Sequence, residues 1–289
     1  MKLYSVEAGN FKLDGGAMFG VVPKTLWQKT NPADSLNMID MATRCLLIEQ
    51  GNSLILIDCG MGNKQSEKYF GHFYLWGDYT LESSLAKHGF SMDDITDVFF
   101  THLHFDHCGG AITWNKEKTF LKPAFKNAKF WTNSNHWDWA THPNIREKAS
   151  FLPENVMPLK ESGQLNFVSL DSLQNGVCKT DFGFEVFVVD GHTEKQMIPI
   201  IEFNGNKIAF VADLVPTTGH IPLVYVMGYD TRPLLTMEEK AKFFDLALAQ
   251  NYLLFFQHDA HHTLCKLKKG EKGAVLDEIL DPKDFGIVV

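Results

Sequence analysis

A chain of 289 residues is long enough for one large domain or two modest ones, and its 45% apolar content is ordinary for a globular protein. The formal net charge of −8 comes with scattered basic residues, which argues against the basic stripe of a nucleic-acid-binding surface. No run approaches the roughly 20 apolar residues of a membrane span, and the N-terminus lacks the apolar core of a signal peptide. We therefore expect a single domain over residues 1–289 that binds neither nucleic acid nor membrane.

The cysteines bear on the cellular compartment. There are five, an odd number, and none stands at CxxC spacing to another. Disulfide frameworks of secreted domains use even, regularly spaced sets, so we expect reduced thiols in a cytoplasmic protein.

In chain order, the first third of the sequence predicts a loop followed by strands. The glycine-rich residues 15–20 are typical of a hairpin or loop. Two strands, 43–49 and 53–57, come next, and the second runs into Asp58, which either orients a metal-binding histidine or caps a turn. The aromatic run 69–79 has no regular periodicity and suits a pocket wall, a subunit contact or core packing.

The rest of the chain alternates helices and strands, as in an α/β fold. A helix begins after Thr80, a typical N-cap, and His136 and His142 are expected to be structural. The basic cluster at 266–269 is expected at a solvated edge or turn. The predicted helices are 81–88, 134–140, 153–160 and 236–250, and the predicted strands are 95–100, 128–132, 165–170, 184–190, 197–202, 207–212 and 252–257.

One stretch carries most of the chemical information. His102, His104, Asp106 and His107 occupy six positions directly after the apolar strand 95–100. Imidazole and carboxylate groups suit borderline divalent metals such as zinc. At an extended strand end His102 and His104 point to one side and can share an ion, while the next two residues can reach a second ion as the chain turns. A histidine-rich surface loop is the alternative, which this density of ligand types disfavours.

Three later strands also end in residues of ligand type. His192 follows the strand 184–190, Asp213 follows 207–212, and His258 follows 252–257. Side chains at strand ends are held on a rigid scaffold and converge at one rim of a sheet.

Together these residues resemble the metallo-β-lactamase superfamily, an α/β fold in which an αββα sandwich of two sheets is flanked by helices. The resemblance covers most of the chain and implies two divalent metal ions. Zinc is the default, although iron, manganese, cobalt and nickel suit the same ligands. The ligands implied are His102, His104 and His192 for the first ion, Asp106, His107 and His258 for the second, and Asp213 as the bridge.

Within the superfamily, residues 13–24 resemble the start of quorum-quenching N-acyl-homoserine lactonase-like members and of their methyl parathion hydrolase relatives. This implies hydrolysis of a small lactone or similar ester by a hydroxide shared between the ions, with Asp106 and Asp213 as catalytic carboxylates. There are two departures. Residues 193–196 are Thr-Glu-Lys-Gln instead of the frequent Thr-Pro-Gly-His, and Pro216 replaces the lactonase tyrosine that helps hold the carbonyl oxygen.

The predicted substrate contacts are Phe19, Phe105 and His220. The two phenylalanines suit an apolar acyl chain, and His220, Tyr225 or Tyr229 can take the place of the missing tyrosine. A homodimer is compatible with the lactonase resemblance alone.

The same set of ligand-type residues is compatible with other functions. The same nucleophile can attack phosphorus, which would make the chain a phosphotriester or other phosphoester hydrolase. Iron at this site would make it an oxidoreductase, but few residues follow His258 to form the flavodoxin domain of flavodiiron relatives. A nuclease is disfavoured by the acidic charge, and a non-catalytic scaffold by the intact ligand set.

Overall fold

The computed structural model describes all residues 1–289 and contains sixteen strands and eight α-helices. The strands are β1 (Lys2–Asp14), β2 (Met38–Gln50), β3 (Ser53–Ile57), β4 (Asp97–Phe99), β5 (Ile112–Trp114), β6 (Leu121–Pro123), β7 (Lys129–Thr132), β8 (Leu165–Phe167), β9 (Val177–Lys179), β10 (Glu185–Val189), β11 (Gln196–Phe203), β12 (Asn206–Phe210), β13 (Leu253–Phe255), β14 (Leu264–Gly270), β15 (Gly273–Leu280) and β16 (Ile287–Val288). The helices are α1 (Gly15–Phe19), α2 (Lys24–Trp27), α3 (Glu67–Phe70), α4 (Leu81–Lys87), α5 (Phe105–Cys108), α6 (Ser134–Thr141), α7 (Pro153–Glu161) and α8 (Pro233–Ala249). None of these helices has the length and apolar character needed to cross a membrane.

The chain divides into two compact units. The first consists of residues 1–10, 43–170 and 287–289, and the second of residues 11–42 and 171–286. The expectation of a single domain over residues 1–289 stays a prediction.

The first unit contains most of a seven-stranded sheet in the order β16-β1-β2-β3-β4-β7-β8. β2 and β3 form an antiparallel hairpin, whereas β3, β4, β7 and β8 are parallel to one another. Parallel strands place their carboxyl ends at the same edge of a sheet. Asp58 and Thr101, which follow β3 and β4, therefore lie near each other. Under this sheet the core includes Leu85, Phe100 and Phe130, all fully buried.

The second unit contains a seven-stranded sheet in the order β15-β14-β13-β12-β11-β10-β9. β12 and β13 are parallel, with α8 in the connection, as a parallel pair requires. β10 and β12 are each antiparallel to β11, so β10 runs in the same direction as β12. The carboxyl ends of β10, β12 and β13 thus share one edge, which carries His192, Asp213 and His258.

Most elements agree with the sequence-based predictions to within a few residues. The exception at the N-terminus is residues 15–20, where a loop or hairpin was expected and the structure has helix α1, because the Asp14 side chain accepts a hydrogen bond from the Ala17 backbone amide at 2.7 Å. The basic cluster at 266–269, expected at a solvated edge or turn, belongs to strand β14, where its three lysines are exposed. The hairpin β14–β15 was not predicted, since lysines interrupt the apolar positions of β14 and β15 has no buried face, its residues Val275, Leu276 and Ile279 being exposed.

Candidate metal centre

The histidine-rich motif begins where β4 ends. His104 is the extended N-cap residue of α5, which carries Asp106 and His107 in its single turn. Nε2 of His102 and Nδ1 of His104 lie 3.0 Å apart, and Oδ1 of Asp106 lies 3.8 Å from Nε2 of His107. All four side chains are buried. His102 and His104 thus face each other, as the extended strand end predicts, and Asp106 and His107 follow in the turn of α5.

Asp58 connects the ends of β3 and β4. One carboxylate oxygen accepts the Thr101 backbone amide at 2.8 Å, and the other accepts the Thr101 hydroxyl at 2.8 Å and Nδ1–H of His107 at 2.9 Å. Because the hydroxyl proton of Thr101 goes to Asp58, its oxygen accepts from Nδ1 of His102, 3.1 Å away. Asp58 therefore orients His107 directly and His102 through Thr101, which is compatible with the first of the two roles that the sequence left open.

A second buried carboxylate, Glu147, lies beside His104. Its Oε1 lies 3.4 Å from Nε2 of His104, the nitrogen opposite the one that faces His102. Its Oε2 accepts hydrogen bonds from the Trp139 indole at 2.8 Å and from the Asn144 amide. Sequence analysis did not select Glu147, because an isolated acidic residue in a polar segment forms no recognisable pattern.

His136 supports the backbone between His102 and His104. Its Nε2 accepts the Leu103 amide at 2.8 Å, and the ring is fully buried. His136 therefore has the structural role expected from the sequence, and it helps to hold the motif extended.

In the second unit, Asp213 stands between two imidazoles. Oδ2 of Asp213 lies 3.1 Å from Nε2 of His192, and Oδ1 lies 2.9 Å from Nε2 of His258. The preceding residue, Ala212, has a left-handed φ of 39°, a sparsely populated conformation that turns the carboxylate out of the line of β12. A carboxylate that directs one oxygen to each of two imidazoles has the arrangement expected of a bridging ligand.

The outer nitrogens of these two histidines are also held by oxygens. Nδ1–H of His192 donates to Asp230 at 2.9 Å, and Nδ1–H of His258 donates to the Ala42 carbonyl at 2.8 Å. Both bonds leave Nε2 as the nitrogen available for a metal. The other oxygen of Asp230 accepts the Met227 amide at 3.1 Å, which fixes the carboxylate. Asp230 is a second functional residue that sequence analysis missed.

The electrostatics around His192 favour positive charge. Burial by itself lowers the pKa of His192, but the carboxylates of Asp213 and Asp230 outweigh it and raise this pKa to about 10. Glu239 on α8 holds the turn before His192, because its carboxylate accepts hydrogen bonds from the backbone amides of Asp190 and Gly191 at 2.8 and 2.9 Å. A divalent cation would satisfy the same negative environment. Buried nitrogen and oxygen donors, anchored on their outer sides, fit a divalent metal ion.

Two of the predicted substrate contacts pack against each other. Phe19 is buried and stacks on the His220 ring with centroids 4.2 Å apart. Nε2–H of His220 donates to the Met18 carbonyl at 2.8 Å, and Nδ1 accepts from the Thr217 hydroxyl at 2.8 Å. Burial lowers the pKa of His220 to about 3, so the ring is neutral. The substrate-binding roles of both residues stay predictions.

Phe105, the third predicted contact, lies in an aromatic cluster. Its ring lies 4.8 Å from that of Phe73 and 6.0 Å from that of Tyr69. The first aromatic residues of the run 69–79 therefore pack against Phe105 in the histidine-rich motif. Tyr74 and Tyr79, later in the run, are about half exposed.

Gln196 is the last residue of the segment 193–196, which departs from the frequent Thr-Pro-Gly-His sequence. Gln196 is fully buried, and its amide oxygen accepts the backbone amides of Asp213 and Leu214 at 3.1 and 3.3 Å. Gln196 therefore supports the segment that carries Asp213.

Comparisons with known proteins agree with this architecture. Residues 39–258 match the Metallo-beta-lactamase superfamily. A probable metal-dependent hydrolase from Staphylococcus aureus has 31% sequence identity and a TM-score of 0.83, with 97% of this chain and 98% of that chain covered. A dizinc quorum-quenching lactonase, AidC, solved in complex with a product, has a TM-score of 0.76 at 23% identity over 96% of this chain and 95% of its own. An N-acyl homoserine lactonase of Bacillus sp is 23% identical over 89% of this chain and 93% of its own length.

The chain belongs to the metallo-β-lactamase superfamily and has the fold of that family, as the fold-class prediction states. Within the superfamily it is a metal-dependent hydrolase.

Proposed function

We propose that this protein hydrolyses a small lactone or similar carboxylic ester with the help of two divalent metal ions, zinc being the first candidate. The observation that carries the proposal is the Asp213 carboxylate, which directs one oxygen to the His192 imidazole and the other to that of His258. A carboxylate placed in this way suits two ions better than one. The lactonases among the relatives, similar over most of the chain, support the substrate class.

The ligand roles follow the resemblance of the motif. The first ion would be held by His102, His104 and His192, the second by Asp106, His107 and His258, and both by Asp213. When bound, such ions lower the pKa of a coordinated water and polarise a carbonyl group.

The chain itself contributes orientation and proton transfer. Asp58 and Asp230 accept hydrogen bonds from the outer nitrogens of His107 and His192, and Glu147 places a carboxylate 3.4 Å from the outer nitrogen of His104, so these rings are preorganised before the substrate arrives. Asp106 would return a proton to the leaving alkoxide when the acyl carbon–oxygen bond breaks, which completes the addition of water across that bond. The partly exposed rings of Phe73 and Phe105 offer apolar surface to an acyl chain.

The five cysteines are all free and buried, which supports our proposal that the protein works in a reducing compartment such as the cytoplasm.

The test is ring opening of N-acyl-homoserine lactones, from butanoyl to dodecanoyl, by purified zinc-loaded protein. Proton release reports turnover, and a chelator-treated sample is the control. We expect chelator-sensitive turnover that varies with acyl length. Asp106→Asn should lose this turnover, whereas Asp138→Asn should keep it, because Asp138 is exposed on α6. A fully metal-loaded protein that hydrolyses phosphotriesters and leaves lactones and other carboxylic esters intact would contradict the proposal.

A further inference from the structure

The first compact unit contains a cavity of about 540 Å³ that none of the proposed metal ligands lines. It is bounded by β1, β2, the residues that follow β3 and the start of α4. Its wall also shares no residue with the aromatic cluster of Tyr69, Phe73 and Phe105. A cavity of this size is typical of sites for small organic molecules.

The floor of the cavity is held by backbone hydrogen bonds. Cys59 and Gly110 both line it, and the Cys59 amide donates to the His107 carbonyl at 2.8 Å while the Gly110 amide donates to the Gly60 carbonyl at 2.8 Å. The two segments cross so closely that a Cβ on Gly110 would meet the Cys59 carbonyl oxygen at 2.0 Å. The floor is therefore preformed, as in most small-molecule sites.

A short loop, residues 75–79, forms another wall of the cavity, and we call it the flap. Its residues Leu75, Trp76 and Tyr79 line the cavity and are between 37 and 51% exposed. The Trp76 amide ties the flap to β1 by donating to the Asn10 carbonyl at 3.1 Å, and Gly77 permits the turn with a left-handed φ of 75°. Large apolar side chains that are grouped and partly uncovered offer a surface for a ligand to bury.

The polar group that singles out this cavity is the Asn10 amide. Asn10 lines the cavity and is only 8% exposed, and its side-chain amide forms no hydrogen bond within the chain. The flap passes close to it, since a Cβ on Gly77 would lie 3.1 Å from Oδ1 of Asn10. A buried amide without a partner is unfavourable, and a ligand that offers it one donor and one acceptor removes that cost.

Charge restricts what this ligand can be. Glu82 is the one ionisable acid or base of the lining apart from the Cys59 thiol and the Tyr79 phenol, and no lysine, arginine or histidine lines the cavity. Lys87 lies over the Tyr79 ring at 4.8 Å but is not part of the lining. An anionic group would be desolvated here without a counter-ion and would be repelled by Glu82, so the lining favours an uncharged molecule.

We propose that this cavity is a second binding site, for an uncharged amphiphile that carries one amide group in an apolar body. The ligand's carbonyl oxygen would accept from Nδ2 of Asn10 and its N–H would donate to Oδ1, which uses both atoms that the chain leaves unpaired. Its apolar parts would pack against Leu75, Trp76 and Ile112. Binding here involves neither the metal ions nor an ester, so the site does not depend on the proposed function.

The test uses N-butylhexanamide, which has one amide between two alkyl chains, added to zinc-loaded protein. Calorimetry measures its binding and tryptophan emission reports the flap. We expect saturable binding with a change in emission. Trp76→Phe should lose the emission change and keep the calorimetric binding, which would assign the signal to the cavity.

Asn10→Leu is close to the original residue in size and removes the amide. It should weaken binding about tenfold, because the buried amide of the ligand then lacks its partners. Its zinc content and thermal midpoint should match the wild type, since the Asn10 side chain has no hydrogen bond within the chain to lose. Thr113→Phe, which narrows the cavity from β5, should weaken binding as well and serves as an independent variant. Gln28→Leu is the matched control, because it removes an exposed amide in the second unit.

Three results would overturn the proposal. The first is no binding of N-butylhexanamide up to its solubility limit. The second is binding that Asn10→Leu and Thr113→Phe leave unchanged and Phe105→Leu abolishes, because the amide would then lie beside the metal ligands. The third is an equal change in Trp76 emission with decanoate, since a carboxylate of similar length should be rejected by the lining.

Discussion

Substitution of Asp230 is the sharpest test of whether the hydrogen bond to the outer nitrogen of His192 strengthens metal binding. Its carboxylate accepts Nδ1–H of His192 at 2.9 Å and the Met227 amide at 3.1 Å, and it is almost fully buried. Asp230→Asn keeps the shape and one acceptor oxygen but removes the negative charge. The imidazole of His192 then becomes a weaker base and a less strictly oriented ligand.

The size of the effect follows from the support that is removed. Loss of an outer carboxylate from a carboxylate–histidine–metal arrangement typically costs 10–100-fold in metal affinity, or about 1.4–2.7 kcal/mol. Under the ligand roles given above, His192 serves only one of the two ions. We therefore expect one zinc dissociation constant to rise by this factor and the other to stay within about twofold.

The assay is competition for zinc against a chromophoric chelator, with the number of bound ions read from the two phases of the titration. Asp138→Asn is the control, since this carboxylate is exposed and contacts only His142. Two unchanged dissociation constants in Asp230→Asn would refute the reasoning, and equal weakening of both would refute the assignment of His192 to one ion.

Two further predictions concern the scaffold. Gly110→Ala should lower the free energy of unfolding by about 1–3 kcal/mol, because an added Cβ would meet the Cys59 carbonyl oxygen at 2.0 Å; an unchanged denaturation midpoint would contradict this. Lys240 is fully buried, donates to the carbonyls of Pro222 and Tyr225, and has its pKa lowered by burial to about 7. Between pH 7 and the ordinary lysine pKa the unfolded chain binds more protons than the folded one, so Lys240 makes stability rise with pH, by at most about 1.4 kcal/mol per unit. Urea unfolding at pH 7 and pH 9 should show a smaller rise in Lys240→Met than in the wild type, and equal rises would show that Lys240 does not titrate in this range.

The sequence was informative where ligands are local or placed at strand ends. His102 and His107 are five positions apart, so the motif is visible without any tertiary structure. Asp213 and His258 were found because apolar strands that stop at a polar residue are easy to recognise. The parallel direction of β12 and β13 then explains why these strand ends share an edge.

Supporting residues were much harder to predict. Glu147 and Asp230 lie 43 and 38 positions from the histidines that they hold, and each occurs among ordinary polar residues. Only the folded chain reveals that they are buried. Helix α1 was missed because its glycines resemble a loop until the cap by Asp14 is seen.

The most direct test of the two-ion account is the metal content of the purified protein and of Asp213→Ala, determined by elemental analysis after dialysis against metal-free buffer. The account predicts two divalent ions per chain in the wild type and a marked loss of bound metal in the variant. The reason is that one carboxylate oxygen of Asp213 faces His192 and the other faces His258, so its removal affects both proposed ions. One ion per chain in a fully active wild type, or two tightly held ions in Asp213→Ala, would contradict it.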